Sequence, residues 1–145
     1  MYLTSHADYT LRLLIHLAVQ RNETATIQEI AAHYGISRNH LVKVANQAVQ
    51  EGYVKAVRGR MGGLRLAMSP REINIGRVLR SVEDWTMVEC FDKSGNSCRI
   101  TRGCGLRGIL KEALDAYFSV LDSYSLADVV QRKTLLVQLL GLRPA

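Results

Sequence analysis

The sequence predicts a mainly α-helical chain with one small β-hairpin: a winged helix-turn-helix followed by a long C-terminal helix. Three observations carry that prediction. A serine or threonine followed three residues later by an acid, the signature of a helix start, recurs at Ser5-x-x-Asp8, Thr26-x-x-Glu29 and Ser125-x-x-Asp128. Apolar residues return at helical spacing after each of these signals. One segment, residues 53–68, instead has strand-like composition and alternation on either side of a glycine-rich turn.

The elements follow in order. Ser5-x-x-Asp8 is expected to open a first helix with Leu11, Leu14, Ile15 and Ala18 on one face, and Arg21-Asn22-Glu23 reads as a polar turn. Thr26-x-x-Glu29 opens a short second helix to about Tyr34, with Ile30 and Ala31 inward, and Gly35 breaks it. Ser37 caps a third helix, Arg38 to about Gln50, with Leu41, Val44, Ala45 and Ala48 inward and Gly52 just past its end. Helix, tight glycine turn, helix is the helix-turn-helix pattern, here spanning about 28–51. The strands Tyr53–Val57 and Leu64–Met68, joined through Gly59–Gly63, add a wing over about 53–68. Pro70 ends the hairpin, and a fourth helix starts at Asn74 or Ile75 and runs to about Asp84.

Residues 85–104 read as an irregular loop that Trp85, Met87 and Phe91 are available to shield. A long helix then runs from Gly105 to about Asp122, with Leu106, Ile109, Leu110, Ala113, Tyr117, Val120 and Leu121 at helical spacing. Its apolar face is wide, and a second copy of the chain is the simplest thing to cover it. Ser125-x-x-Asp128 caps a last helix bearing Leu126, Val129 and Val130. The expected organisation is a winged unit over 1–84, a loop over 85–104, and a dimerisation helix with a C-terminal helix over 105–145.

Charge is concentrated in one quarter of the chain. Between Ser37 and Arg71 lie Arg38, Lys43, Lys55, Arg58, Arg60, Arg65 and Arg71 against the single acid Glu51; this accounts for the whole net charge of +6. Elsewhere twelve bases face twelve acids. A basic region so confined is the footprint expected for a polyanion, and a helix-turn-helix makes double-stranded DNA the expected partner. Ser37, Arg38, Asn39 and His40 open the third helix, with Lys43 one turn on. The first residues of such a helix face base edges in the major groove, where Arg suits guanine and Asn suits adenine. Arg58, Arg60 and Arg65 decorate the wing, where they suit phosphate or minor-groove contacts. No catalytic triad order, phosphate-binding glycine loop or metalloprotease helix is present, so an enzyme is not expected. The apolar run Leu11–Val19 is broken by Arg12 and His16 and is far short of the roughly 20 residues of a membrane span. No signal peptide is read, and the expected location is the cytoplasm.

The three cysteines, Cys90, Cys98 and Cys104, all fall in the loop and are separated by seven and five residues. An odd number in one segment argues against a disulfide framework. The spacing lacks the close pairs of ordinary zinc ribbons, which disfavours structural zinc. Thiols on a polar loop next to a helix start favour a soft metal or an iron–sulfur cluster, with plain packing as the alternative. Three thiolates leave one coordination position for His, Asp, Glu, a thiol or solvent.

The chain resembles the nitric-oxide-sensing repressors of the NsrR type, within the winged-helix iron–sulfur regulators that include the IscR and RirA types. The residues that carry the resemblance include Leu3-Thr4, Asp8-Tyr9, Tyr34-Gly35-Ile36-Ser37-Arg38-Asn39-His40-Leu41-Val42-Lys43-Val44 and Gly52-Tyr53-Val54. Val57-Arg58-Gly59-Arg60-x-Gly62-Gly63-x-Arg65-Leu66, Val88-Glu89-Cys90-Phe91, Cys98-x-Ile100, Cys104-x-Leu106 and Tyr124-Ser125-Leu126-Ala127-Asp128 complete it. The resemblance implies a homodimeric repressor of inverted-repeat operators. It implies an iron–sulfur cluster, 4Fe–4S or 2Fe–2S with the former favoured, on Cys90, Cys98 and Cys104. It also implies Asp8 of the partner subunit as the fourth ligand and nitric oxide as the signal. The IscR type places a histidine three residues after the third cysteine, where this chain has Arg107. The RirA type shares the seven-residue first gap, so iron-responsive repression is the neighbouring expectation. A zinc-stabilised winged-helix regulator is the remaining one.

Overall fold

The computed structural model describes residues 3–20, 23–92 and 94–142. The expected turn at Arg21 and Asn22 lies outside the described residues, as does Lys93 of the cysteine loop. Helix α1 (Ser5–Val19) is capped by Thr4, whose hydroxyl accepts from the Ala7 N–H at 3.2 Å. The Ser5–Asp8 box therefore does not form, since Ser5 is already the first helical residue. The same threonine hydroxyl donates to Glu83 at 2.7 Å, so a partner far along the chain selects the cap. The buried face is Ala7, Thr10, Leu13, Leu14, Leu17 and Ala18, while the expected Leu11 and Ile15 are only half-buried at its margin.

Helix α2 (Ile27–Tyr34) has the expected capping box between Thr26 and Glu29, and Gly35 ends it in the left-handed conformation at φ 63°. Helix α3 (Arg38–Gln50) buries all four expected positions, Leu41, Val44, Ala45 and Ala48. Ser37 stands at its cap position but makes no side-chain cap bond, which corrects the sequence expectation. Between α1 and α2 lies a fully buried His16, stacked on His33 at 5.2 Å and edge-on to Tyr34 at 5.8 Å. Among the described residues, neither His16 ring nitrogen has a hydrogen-bond partner. Burial, reinforced by repulsion from His33, pushes its pKa down to about 4, so the ring is neutral at pH 7.

Strands β1 (Val54–Val57) and β2 (Gly63–Leu66) pair antiparallel with Val54 opposite Leu66 and Lys55 opposite Arg65. Ala25 extends this hairpin by bridging Leu64 through bonds of 3.0 and 2.8 Å, tying the wing to the start of α2. Helix α4 (Ile75–Val82) is capped by the Asn74 side chain and buries Ile75, Val78 and Leu79. Among the described residues of the cysteine loop, a single 3-10 turn at Glu89–Phe91 is the one helical element.

Helix α5 (Leu106–Asp122) buries Phe118 alone. Leu114, Tyr117 and Leu121 are half-buried beside it, whereas Leu106, Ile109 and Val120 are 55–64% exposed. The helix thus touches the core near its C-terminal end and leaves it towards its start. The Ser125–Asp128 box forms as expected, but it opens only the one-turn helix α6 (Leu126–Val129). A further helix, α7 (Lys133–Leu139), follows; its cap residue, Arg132, makes no side-chain bond that could have announced it. Among the described residues, no helix is long and apolar enough to cross a membrane.

Candidate nucleic-acid interface and cysteine loop

The start of α3 presents Ser37, Arg38, Asn39, His40 and, a turn later, Lys43, all exposed, above the buried Leu41 and Val44. The helix is held at both ends. The His40 ring packs edge-on against Tyr9 of α1, with centroids 5.1 Å apart, and Gln47 donates to the Ser81 carbonyl at 2.9 Å. Arg12 lies over the other contact of this chain, its guanidinium 5.7 Å from the Tyr9 ring centre and 2.8 Å from the Asp8 carboxylate. Asp8 is therefore already paired within its own chain, next in sequence to the Tyr9 that packs on His40.

The wing is shaped by backbone limits. Gly59 has φ 111°, and a Cβ at Gly62 would meet the Val57 and Gly59 carbonyl oxygens at 2.5 and 2.7 Å. The Thr24 hydroxyl donates to the Met61 carbonyl at 2.8 Å and pins the tip from outside. Arg58 and Arg60 flank this turn and are exposed. Arg65 is set apart from them: it lies opposite Lys55 on the hairpin's solvent face and lines an open cleft with Glu23, Met68 and Lys133. Like charges directly opposite on two strands repel, so Lys55 and Arg65 together form a standing positive patch. Lys55, counted in the basic region but not among the wing candidates, is joined to Arg65 by this cross-strand register.

The cysteine loop offers donors without gathering them. Cys90 sits in the 3-10 turn, Cys98 between two turns and Cys104 just before α5; all three thiols are free and half-buried. Among the described residues, no three His, Cys, Asp or Glu side chains form a group able to hold a metal ion. The loop is instead closed by its own polar bonds: Glu89 accepts from the Ser97 N–H at 2.8 Å, and the Cys98 N–H donates to Asn96 at 3.0 Å. Hydrogen bonds from Ser97 also hold the Glu89 carboxyl below its usual pKa range. Three unpaired soft donors on one short segment fit an iron–sulfur cluster chemically. The expected shielding is different in detail. Trp85 packs on Phe118 at 4.8 Å and donates to the Leu79 carbonyl at 3.2 Å, while Met87 is exposed.

Comparison with known proteins decides the family. The family model described as "Rrf2: Iron-dependent Transcriptional regulator" matches residues 3–132. The chain belongs to the Rrf2 family. It is 50% identical over 145 residues to the HTH-type transcriptional regulator NsrR of Bacillus subtilis, covering 99% of each chain. It is 46% identical to the NsrR of Bacillus licheniformis, over 97% of this chain and 100% of that one. Among solved structures, T. potens IscR superposes with a TM-score of 0.73 at 26% identity, over 91% of this chain and 88% of that one. The cysteine regulator CymR of B. subtilis has the same fold, with a TM-score of 0.72 at 24% identity over 91% and 98%. This Rrf2 chain is thus an NsrR-type transcriptional regulator, and the expectations of a winged-helix fold and a non-enzymatic role hold.

Proposed function

We propose that this chain is a cytoplasmic, homodimeric repressor that holds an iron–sulfur cluster, binds an inverted-repeat operator and lets go of it in response to nitric oxide. The observation that carries the reading is the exposed row Ser37, Arg38, Asn39, His40 and Lys43 standing on a buried helix face beside an arginine-bearing wing. In a dimer two such rows meet the half-sites of one operator, with Arg58, Arg60 and Arg65 adding phosphate and minor-groove contacts. The uncovered apolar stripe of α5, with Leu106, Ile109 and Val120, pairs the two subunits.

Cys90, Cys98 and Cys104 are the thiol ligands, and the cluster is 4Fe–4S rather than 2Fe–2S. Asp8 of the partner subunit supplies the fourth position. When bound, the cluster supplies iron with affinity for nitric oxide. The chain's own residues do the rest. A carboxylate engaged across the interface leaves Arg12 unpaired; a carboxylate that returns restores the Asp8–Arg12 pair next to Tyr9 and His40. That exchange gives the reading helix two different surroundings, which is what coupling two sites requires. The family description, iron-dependent, favours iron supply as the second candidate signal.

One experiment tests the reading. The protein is purified anaerobically, its visible spectrum recorded, and operator binding followed through a nitric oxide titration. A brown protein that binds the operator and loses it as nitric oxide is added supports the proposal. A colourless protein with full operator affinity refutes it, and a brown protein that responds to iron depletion alone shifts the signal to iron.

A further inference from the structure

Where the winged unit meets α5, a set of contacts converges on one carboxylate. Arg80 of α4 grips Asp122, the last residue of α5, with both guanidinium nitrogens at 2.6 and 2.8 Å. The same guanidinium lies 3.9 Å from the centre of the Phe118 ring. The Asn74 side-chain amide donates to the Asp122 carbonyl at 2.7 Å. Gly76 leaves the space the carboxylate fills, since a Cβ there would stand 2.0 Å from Asp122 Oδ1. Backbone bonds from Ile75 to Tyr124 at 3.0 Å and from Leu126 to Ile73 at 2.8 Å close the joint on either side. Trp85, where the cysteine loop begins, packs on Phe118 in the same place.

Stability alone does not account for this arrangement. Both partners of the ion pair are 43% exposed, and exposed pairs contribute little to folding. What a forked pair adds is direction, because two parallel bonds fix a plane as well as a distance. The direction matters because α5 is a lever. It spans 17 residues, about 25 Å, and its far half has no buried anchor. A swing of about 10° at the joint displaces the far end by about 4 Å, more than the roughly 3.4 Å rise of one base pair.

We propose that Arg80 and Asp122, with Gly76 as the gap between them, are positioning residues that fix the angle between the α5 arm and the reading head, and so fix the half-site separation the dimer accepts. This rests on the reading above that α5 joins two subunits on an inverted repeat. Asp122→Ala and Arg80→Ala free the joint by removing either half of the fork. Gly76→Ala expels the carboxylate without removing a charge. Arg80→Lys keeps the charge but loses the fork.

The test measures affinity of the full chain, purified anaerobically, for inverted repeats whose spacer is lengthened or shortened by one base pair. Dimer content by sedimentation and thermal midpoint are recorded alongside. The wild type is expected to discriminate against altered spacers by about tenfold or more. In Asp122→Ala, Arg80→Ala and Gly76→Ala this discrimination falls to about threefold or less with the dimer retained, and Arg80→Lys lies between. A wild-type spacer profile retained in the three variants, whatever their thermal midpoints, overturns the joint alone and leaves the dimeric repressor standing. A wild type that is monomeric on DNA, or indifferent to spacer length, overturns both.

Discussion

The winged unit and the α5 arm are built by opposite rules. In the winged unit, α1 to α4 and β2 each bury residues in one core, and Thr4, Thr26 and Asn74 close helix starts with side-chain bonds. The arm begins at Gly105 with no side-chain cap, buries only Phe118, and exposes Leu106, Ile109 and Val120. The difference teaches where each region finds its stability. The winged unit draws on one core that Phe118, Leu126 and Val130 help to close, whereas the outer half of the arm keeps Leu106 and Ile109 exposed.

Core truncation puts the largest strain on that comparison. Leu41→Ala, at a fully buried site in α3, should cost about 2–5 kcal/mol in chemical denaturation. Ile109→Ala should leave the unfolding of the isolated chain within about 0.5 kcal/mol of wild type and weaken self-association instead. Equal losses of folding stability at the two sites would erase the distinction between head and arm.

Acid probes the head from inside. His16 titrates near pH 4 when folded and near 6.5 when unfolded, so in that interval the unfolded chain binds the extra proton. Stability should therefore fall as pH drops from about 6.5 towards 4, by up to about 3 kcal/mol for this group. His33, facing the ring, deepens the effect, and Glu29 opposes it. His16→Phe should flatten the pH profile of the denaturation midpoint. A profile as steep as wild type would assign the acid sensitivity to other groups.

Binding divides the head's exposed surface in turn. Asn39→Ala should cost about 1–3 kcal/mol on the cognate operator and relax selectivity at one base position. Arg60→Ala should weaken all DNA alike and lower the salt slope by about one charge. Equal losses on cognate and random DNA for Asn39→Ala would remove it from base reading. An unchanged salt slope for Arg60→Ala would place the wing tip away from phosphates.

The smallest effect on folding belongs to Asp8. Its role as a capping residue is gone, and its exposed pair with Arg12 contributes about 0.5 kcal/mol or less. Asp8→Ala should hardly change thermal stability while making the cluster easier to lose and lowering operator affinity. An unaltered spectrum and unaltered binding would leave the fourth ligand unassigned.

Much of the head was legible because its signals are local. The Thr26 box, Gly35, the inward face of α3 and the wing turn are each decided within a few residues. What escaped is decided at a distance. Thr4 takes the cap from Ser5 because Glu83 reaches it, and Asp122 matters because Arg80 is 42 positions away. Helix α7 has no capping side chain to mark its start. The shared segment of the cysteines was plain, but among the described residues no three His, Cys, Asp or Glu side chains form a group able to hold a metal ion.

The wing turn also separates what may vary from what may not. Its glycines at 62 and 63 abut backbone oxygens at 2.8 Å or less from any added Cβ, whereas the Met61 side chain between them and Arg60 is 85% exposed. A randomised library at position 61 would vary the exposed tip of the wing on an unchanged backbone. The same library at 62 or 63 would sample distorted turns. On the proposed wing contact with DNA, operator preference at the flanks is expected to change through this one side chain, leaving the scaffold that presents it untouched.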